Sequence, residues 1–103
     1  MLNQVVIIGR ITRDLEKQIE KDTDNNIVCM TLAVPRGFKN ENGEYDTDFI
    51  SVRLYKGVAE NAFEYCKKGD LVGVKGRVQN DNGAMTIIAE KITFLSSKRT
   101  DDE

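Results

Sequence analysis

The sequence contains no histidine and only two cysteines among its 103 residues. Without histidine, neither a Ser/His/Asp nor a Cys/His nucleophilic arrangement can form. Cys29 and Cys66 lie far apart, so zinc would have a poor ligand set, and free thiols in a reducing compartment are predicted. We therefore expect no catalytic centre, no metal site and no cofactor.

A long apolar run and an excess of basic residues are also absent. The N-terminal run Val5–Ile8 has four residues and no preceding basic residue. It is too short for a signal peptide or a membrane span, which predicts a cytoplasmic protein. The formal net charge is -2, so any nucleic-acid footprint must be local. The length allows one domain, predicted over residues 1–97, followed by a short polar tail at 98–103.

Five segments have the composition and alternation of strands, with one helical segment between the third and the fourth. The strands are predicted near residues 3–12, 26–36, 49–55, 71–79 and 84–95, and the helix over 57–69. Asn-Gly at 42–43 and at 82–83 predicts hairpin turns, because both central residues of such a turn take positive φ. This order predicts an all-β OB-fold, a five-stranded, partly open Greek-key barrel with one helix.

Two segments carry further detail. The helix presents one apolar face and is expected to end at a Gly69 cap; the face comprises Val58, Ala59, Ala62, Phe63 and Cys66. The first strand is apolar on both faces through Val5–Ile8. Because one barrel of this size covers only one side of it, we expect the chain to form a homo-oligomer.

The third strand has two faces of different character. Ile50, Val52 and Leu54 point to one side and can build a core, which leaves Phe49, Arg53 and Tyr55 on the other. A subunit interface, a covering loop or plain strand propensity would each explain outward rings. Cations nearby favour another explanation, because single-stranded nucleic acid needs rings for its bases and positive charge for its phosphates. These cations are Arg36 and Lys39, beside Phe38, and Lys75 and Arg77 on the fourth strand.

Four stretches together resemble the bacterial single-stranded DNA-binding protein family. They are "MLNQVVIIGRITRDLE", "VCMTLAVPRGFKN", "GEYDTDFISVRLYKGVAENAFEYCKKGDLVGVKGRVQ" and "AEKITFLSS". The resemblance implies an OB-fold that forms homo-oligomers, usually tetramers, and wraps single-stranded DNA in replication, recombination and repair. It also implies stacking roles for Phe38, Phe49 and Tyr55 and a basic role for Lys68.

The residues and the resemblance together give the expected site. Phe38, Phe49 and Tyr55 stack on bases, and eight cations neutralise phosphates: Arg10, Arg36, Lys39, Arg53, Lys56, Lys68, Lys75 and Arg77.

The chain departs from the family pattern in three places. The fourth-to-fifth loop, "QNDNGA", is short and has no aromatic residue; Lys56-Gly57 stands where Gly-Lys is usual; and the sequence ends in Asp-Asp-Glu without an acidic Pro-Phe tip. The alternative function is an OB-fold primosomal or accessory adaptor that acts mainly through protein–protein contacts. A small nuclease on the same fold is disfavoured by the missing histidine.

Overall fold

The computed structural model describes residues 2–19 and 26–97. The turn expected between the first two strands and the polar tail fall largely or wholly outside these residues. The elements are β1 (Val5–Ile11), β2 (Glu16–Ile19), β3 (Asn26–Lys39), β4 (Tyr45–Tyr55), α1 (Lys56–Tyr65), β5 (Leu71–Asp81) and β6 (Ala84–Ser96).

The strands form one sheet in the order β1-β5-β6-β4-β3-β2, and an additional β1–β3 pairing closes five of them into a barrel. All pairings are antiparallel except β4–β6, which is parallel and extends over only two residue pairs, Val52–Ile87 and Arg53–Ile88. This is the predicted five-stranded topology, with the helix after the third barrel strand. β2 is an additional short strand that lies against β3 and was not predicted.

The core lies inside the barrel, and α1 packs against its β3, β4 and β6 strands. Inward residues alternate along each strand, as a half-buried strand requires: Val28, Met30 and Leu32 on β3 and Val52 and Leu54 on β4 are at most 1% exposed. The core also takes in Ala59, Ala62 and Cys66 from the helical segment. Phe63, expected on that apolar face, is exposed instead, and Lys17 Nζ lies 5.4 Å from its ring centroid.

The pairing of β5 with β6 is irregular at Gly76. The ladder shifts register between Lys75 and Gly76, which is the signature of a β-bulge. A Cβ on Gly76 would lie 2.1 Å from the carbonyl oxygen of Ile88. Only glycine therefore fits at this close approach of the two strands.

One of the two predicted hairpin turns differs from expectation. Asn82 and Gly83 both take positive φ, at 53° and 89°, as expected. Only Gly43 does so in the other hairpin, because that loop is longer: Gly43 N donates to Asn40 O, and Asn40 N donates to Glu44 O. The helix also ends earlier than predicted, with Cys66 as its C-cap.

Asp70 explains the early end of the helix. It is fully buried, and its Oδ2 accepts a hydrogen bond from the Lys67 backbone N–H at 2.9 Å. The Asp70 N–H in turn donates to the Lys67 carbonyl, and Gly69 takes a φ of 94° within that turn. The predicted Gly69 cap is therefore wrong, because Gly69 belongs to this separate turn. No helix in the described residues is long and apolar enough to cross a membrane.

Candidate nucleic-acid interface

The outward face of β4 carries the rings predicted from the sequence. Phe49 is 69% exposed, and Arg53 and Tyr55 are half-buried on the same side. Val52 and Leu54 point the other way, into the core. We refer to Phe49, Ser51, Arg53 and Tyr55, with the residues that flank them on β5 and β6, as the β4 outer face.

A groove opens beside Phe49 because β4 and β6 separate beyond their two paired positions. It has a volume of about 360 Å³ and is lined by Phe49 and Ser51 on one side and by Met85 and Thr86 on the other. Met85 is 67% exposed, and its unbranched thioether side chain can adapt to flat apolar surfaces. The sequence did not indicate Met85, since placing it beside Phe49 requires the parallel β4–β6 register.

The hairpin between β3 and β4 carries a second cluster. Phe38 is largely exposed at the end of β3. Lys39 Nζ lies 5.9 Å from the centroid of the Tyr45 ring, within the range of a cation–π contact. Since Tyr45 and Phe49 belong to the same strand, the hairpin cluster continues into the β4 outer face.

Arg36 is engaged by carboxylates in this hairpin. Its Nη2 donates to Asp48 Oδ1 at 3.0 Å and its Nε to Asp48 Oδ2 at 3.2 Å, while its Nη1 lies 3.8 Å from Asp46 Oδ2. Hydrogen bonding to Arg36 lowers the pKa of the Asp48 carboxyl. Hydrogen bonding to Asp48 is in turn the main cause of a raised pKa at the Arg36 guanidinium. Asp46 and Asp48 thus both engage the guanidinium of Arg36.

Arg53 and Arg77 are linked across the β4 outer face. Arg53 Nη1 donates to Asp81 Oδ2 at 2.9 Å, Gln79 Nε2 donates to Asp81 Oδ1 at 3.0 Å, and Arg77 Nη1 donates to Gln79 Oε1 at 2.6 Å. The Tyr55 side chain is the main cause of a raised pKa at Arg53, and the charge of Asp81 adds to it. Both predicted cations therefore belong to one chain of hydrogen bonds on this face, and neither projects freely into solvent.

The remaining predicted cations lie at differing distances from the rings. Arg10 shares a row with Phe49, because Ala33 pairs with both; its Nη1 donates to the Gly69 carbonyl at 2.9 Å. Lys56 directly follows Tyr55 with a φ of 54°.

Lys68 and Lys75 are exposed but lie elsewhere on the barrel. Lys68 belongs to the turn after α1. Lys75 on β5 is paired with Val6 of β1 and Lys91 of β6, away from β4.

A small closed barrel with exposed rings on one strand and cations on that strand and its neighbours defines a nucleic-acid-binding module of the OB class. Among the described residues, no group of three or more metal-ligating side chains comes together. The buried thiol of Cys66 has a pKa raised by burial and, secondarily, by Asp70, which disfavours the reactive thiolate.

The chain belongs to the single-strand binding protein family, whose model matches residues 2–95. It is 40% identical to "Single-stranded DNA-binding protein 1" of Staphylococcus aureus strain MSSA476, over 99% of this chain and 70% of that protein. It is 44% identical to the single-stranded DNA-binding protein of Streptococcus mutans, over 97% of this chain and 66% of that protein.

The fold is also that of a solved family member. The structure of the wild-type single-stranded DNA binding protein from Thermus aquaticus matches with a TM-score of 0.78 and 26% identity, over 94% of this chain. The chain spans about half of that protein, 52% of its length. These likenesses confirm the OB-fold and the family predicted from the sequence.

Proposed function

We propose that this protein binds single-stranded DNA without strong sequence preference and without catalysis, and that it protects such strands in replication, recombination and repair. The observation that supports this most is the Phe49 ring, which stays exposed beside a groove on a strand whose other face is core. Base stacking on such a ring tolerates every base. The family is one of DNA-binding proteins rather than enzymes.

Phe49, Tyr55 and Phe38 are the proposed stacking residues, with Met85 as an apolar surface opposite Phe49. Arg53, Arg77, Arg36 and Lys39 are the cations proposed to follow the phosphates of the same DNA strand. Arg10 extends the positive surface across β3, and Lys56 extends it past the end of β4. Lys68 and Lys75 would require a DNA strand that continues around the barrel. The exposed rings favour DNA binding over the adaptor alternative.

Titration of fluorescently labelled dT oligomers of increasing length tests this function. We expect saturable binding that tightens with length up to one site size and weakens as salt rises. A duplex of the same length should bind more weakly at the same salt. Equal affinity for duplex and single strand would contradict the proposal, and so would binding that requires a divalent metal.

We further propose that the protein is a cytoplasmic homo-oligomer, with the tetramer favoured by the family resemblance. Val6 and Ile8 are exposed on β1, and the site of a Cβ on Gly73 is 3.9 Å from both Ile8 Cγ1 and Leu95 Cδ1. These side chains therefore form one outward apolar patch, as interfaces do. Residues 5–9 of β1 pair only with β5 among the described residues, so their other edge can add a strand.

Light scattering at micromolar concentration measures this directly. A species of 11.6 kDa, the mass of one chain, would contradict the oligomer. Val6→Asp should lower the measured mass, because it places a charge in the apolar patch, and it should leave a folded barrel because Val6 is exposed.

A further inference from the structure

Asp81 makes with Arg53 the kind of contact that a phosphate can make with an arginine. The 2.9 Å contact joins Arg53 Nη1 to Asp81 Oδ2, and a carboxylate presents to a guanidinium the same kind of oxygen acceptor as a phosphodiester. The second Asp81 oxygen accepts a hydrogen bond from Gln79, which in turn accepts one from Arg77. The hydrogen bond from Gln79, on the same strand, therefore fixes the position of the Asp81 carboxylate beside Arg53.

The Arg53 side chain reaches Asp81 by crossing a strand. The sheet order places β6 between β4 and β5, so an arginine on β4 that contacts β5 must lie over β6. Ile88 of β6 pairs with Arg53 on one side and Arg77 on the other. It is only 5% exposed although it lies outside the core cluster, so it is covered from the outer side.

A phosphate that binds Arg53 must therefore replace Asp81 and lift the arginine from its position over β6. Both changes oppose binding, one by leaving a carboxylate without its cation and the other by exposing apolar surface. The pair is partly open to solvent, with Arg53 40% and Asp81 25% exposed. Its strength should accordingly be that of a surface ion pair rather than a buried one.

We propose that Asp81 is an internal competitor of the DNA phosphate, which sets the affinity of the β4 outer face by holding Arg53 until a strand displaces it. This inference rests on the proposed function, because it concerns the phosphodiester ligand of the same face. It assigns to Arg53 a smaller net contribution than its position beside Phe49 and Tyr55 suggests. It also explains why a face that is proposed to bind a polyanion carries an acidic residue.

The test is a double-mutant cycle on dT-oligomer affinity. Asp81→Asn keeps an oxygen that can accept from Gln79 but removes the charge, and it should tighten binding about 1.5- to 5-fold, the range for a surface ion pair. Arg53→Ala alone should weaken binding little. In the Arg53→Ala background, Asp81→Asn should have almost no effect, because no arginine is left to release.

A control variant and the Arg53→Ala background distinguish competition for Arg53 from a long-range effect of charge on DNA affinity. Glu44→Gln makes the same charge change in the β3–β4 hairpin and should shift affinity less than Asp81→Asn. If the Asp81→Asn gain persists without Arg53, the carboxylate only repels DNA, and the proposal is overturned. Weaker binding in Asp81→Asn would overturn it too, since Asp81 would then orient Arg53 for the phosphate.

Folding and function remain distinguishable in this design. The melting temperature of each variant, measured beside the affinity, identifies any that is partly unfolded, and Asp81→Ala serves as a second removal of the charge with the same expected gain. Failure of the unaltered protein to bind any dT oligomer would overturn the proposed function. Normal binding with no Asp81 effect would overturn this inference alone.

Discussion

Phe49 and Leu54 lie on opposite faces of the same strand, and truncating each should affect a different property. Phe49 is 69% exposed and Leu54 is fully buried. Fully burying a phenylalanine stabilises by about 1.5–3 kcal/mol, so the buried third of Phe49 is worth less than about 1 kcal/mol. Leu54→Ala removes core volume and should cost about 2–5 kcal/mol of unfolding free energy.

Affinity should show the reverse order. Loss of a stacking ring costs about 1–3 kcal/mol per base, which is about 5- to 150-fold in Kd. Phe49→Ala should therefore weaken dT-oligomer binding by that factor, while the salt dependence stays nearly unchanged because no cation is removed. The folded fraction of Leu54→Ala should bind close to normally.

Fluorescence anisotropy of an end-labelled dT oligomer, together with urea unfolding of each variant, measures both quantities. Phe63→Ala is the matched control, since Phe63 is another partly exposed ring but lies on α1; its affinity should equal that of the unaltered chain. If Phe49→Ala unfolds the protein while its folded fraction binds normally, the ring serves packing or an interface, and the assignment of the β4 outer face is wrong.

Three further substitutions test other parts of the structure. Met85→Ala should weaken binding and Met85→Leu should largely restore it, because the groove needs apolar contact there; equal affinity of all three proteins, measured by the same anisotropy titration, would exclude Met85. Gly76→Ala should destabilise by about 1–3 kcal/mol or more in urea unfolding, whereas Gly37→Ala, with open space around its Cβ position, should be nearly neutral. The raised pKa of Cys66 means that the protonated thiol supports the fold below the unfolded pKa of about 8.5, and that this support is lost as pH rises beyond it. Urea unfolding at pH 7 and 9.5 should therefore show a smaller decline for Cys66→Ala than for the unaltered chain, and equal declines would contradict the shift.

The sequence predicted the barrel because alternation is a local signal. Val52 and Leu54 face inward on β4, as the period of two requires, and two Asn-Gly pairs marked the hairpins. β2 was not predicted because "EKQI" has no alternating apolar residues and forms a strand only by pairing with β3. The formation of β2 depends on a non-local contact that no short stretch of sequence can indicate.

The candidate site was predictable in its residue types but not in its electrostatics. Exposed rings and neighbouring cations followed from strand faces, and the structure places Phe49 as expected. The partners of the arginines did not follow. Asp48 is 12 residues from Arg36 and Asp81 is 28 residues from Arg53, and only strand register brings each pair together. A list of cations read from sequence therefore overstates the positive charge available to DNA.

Lys56 offers a substitution in which stability and affinity should change in opposite directions. It follows Tyr55 at the start of α1 with a φ of 54°, the left-handed region that costs a residue with a Cβ roughly 1–2 kcal/mol. Lys56→Gly removes this strain but gives the unfolded chain more conformational freedom. The free energy of unfolding should therefore rise by up to about 1 kcal/mol.

The same change removes a proposed phosphate contact. The slope of log K against log salt should therefore flatten by about 0.7, and dT-oligomer binding should weaken. Lys56→Ala is the matched control, because it loses the cation but keeps a Cβ in the left-handed conformation; it should bind as weakly as Lys56→Gly without any gain in stability. Equal urea midpoints for the two variants would refute the strain, and an unchanged salt slope in both would remove Lys56 from the DNA path.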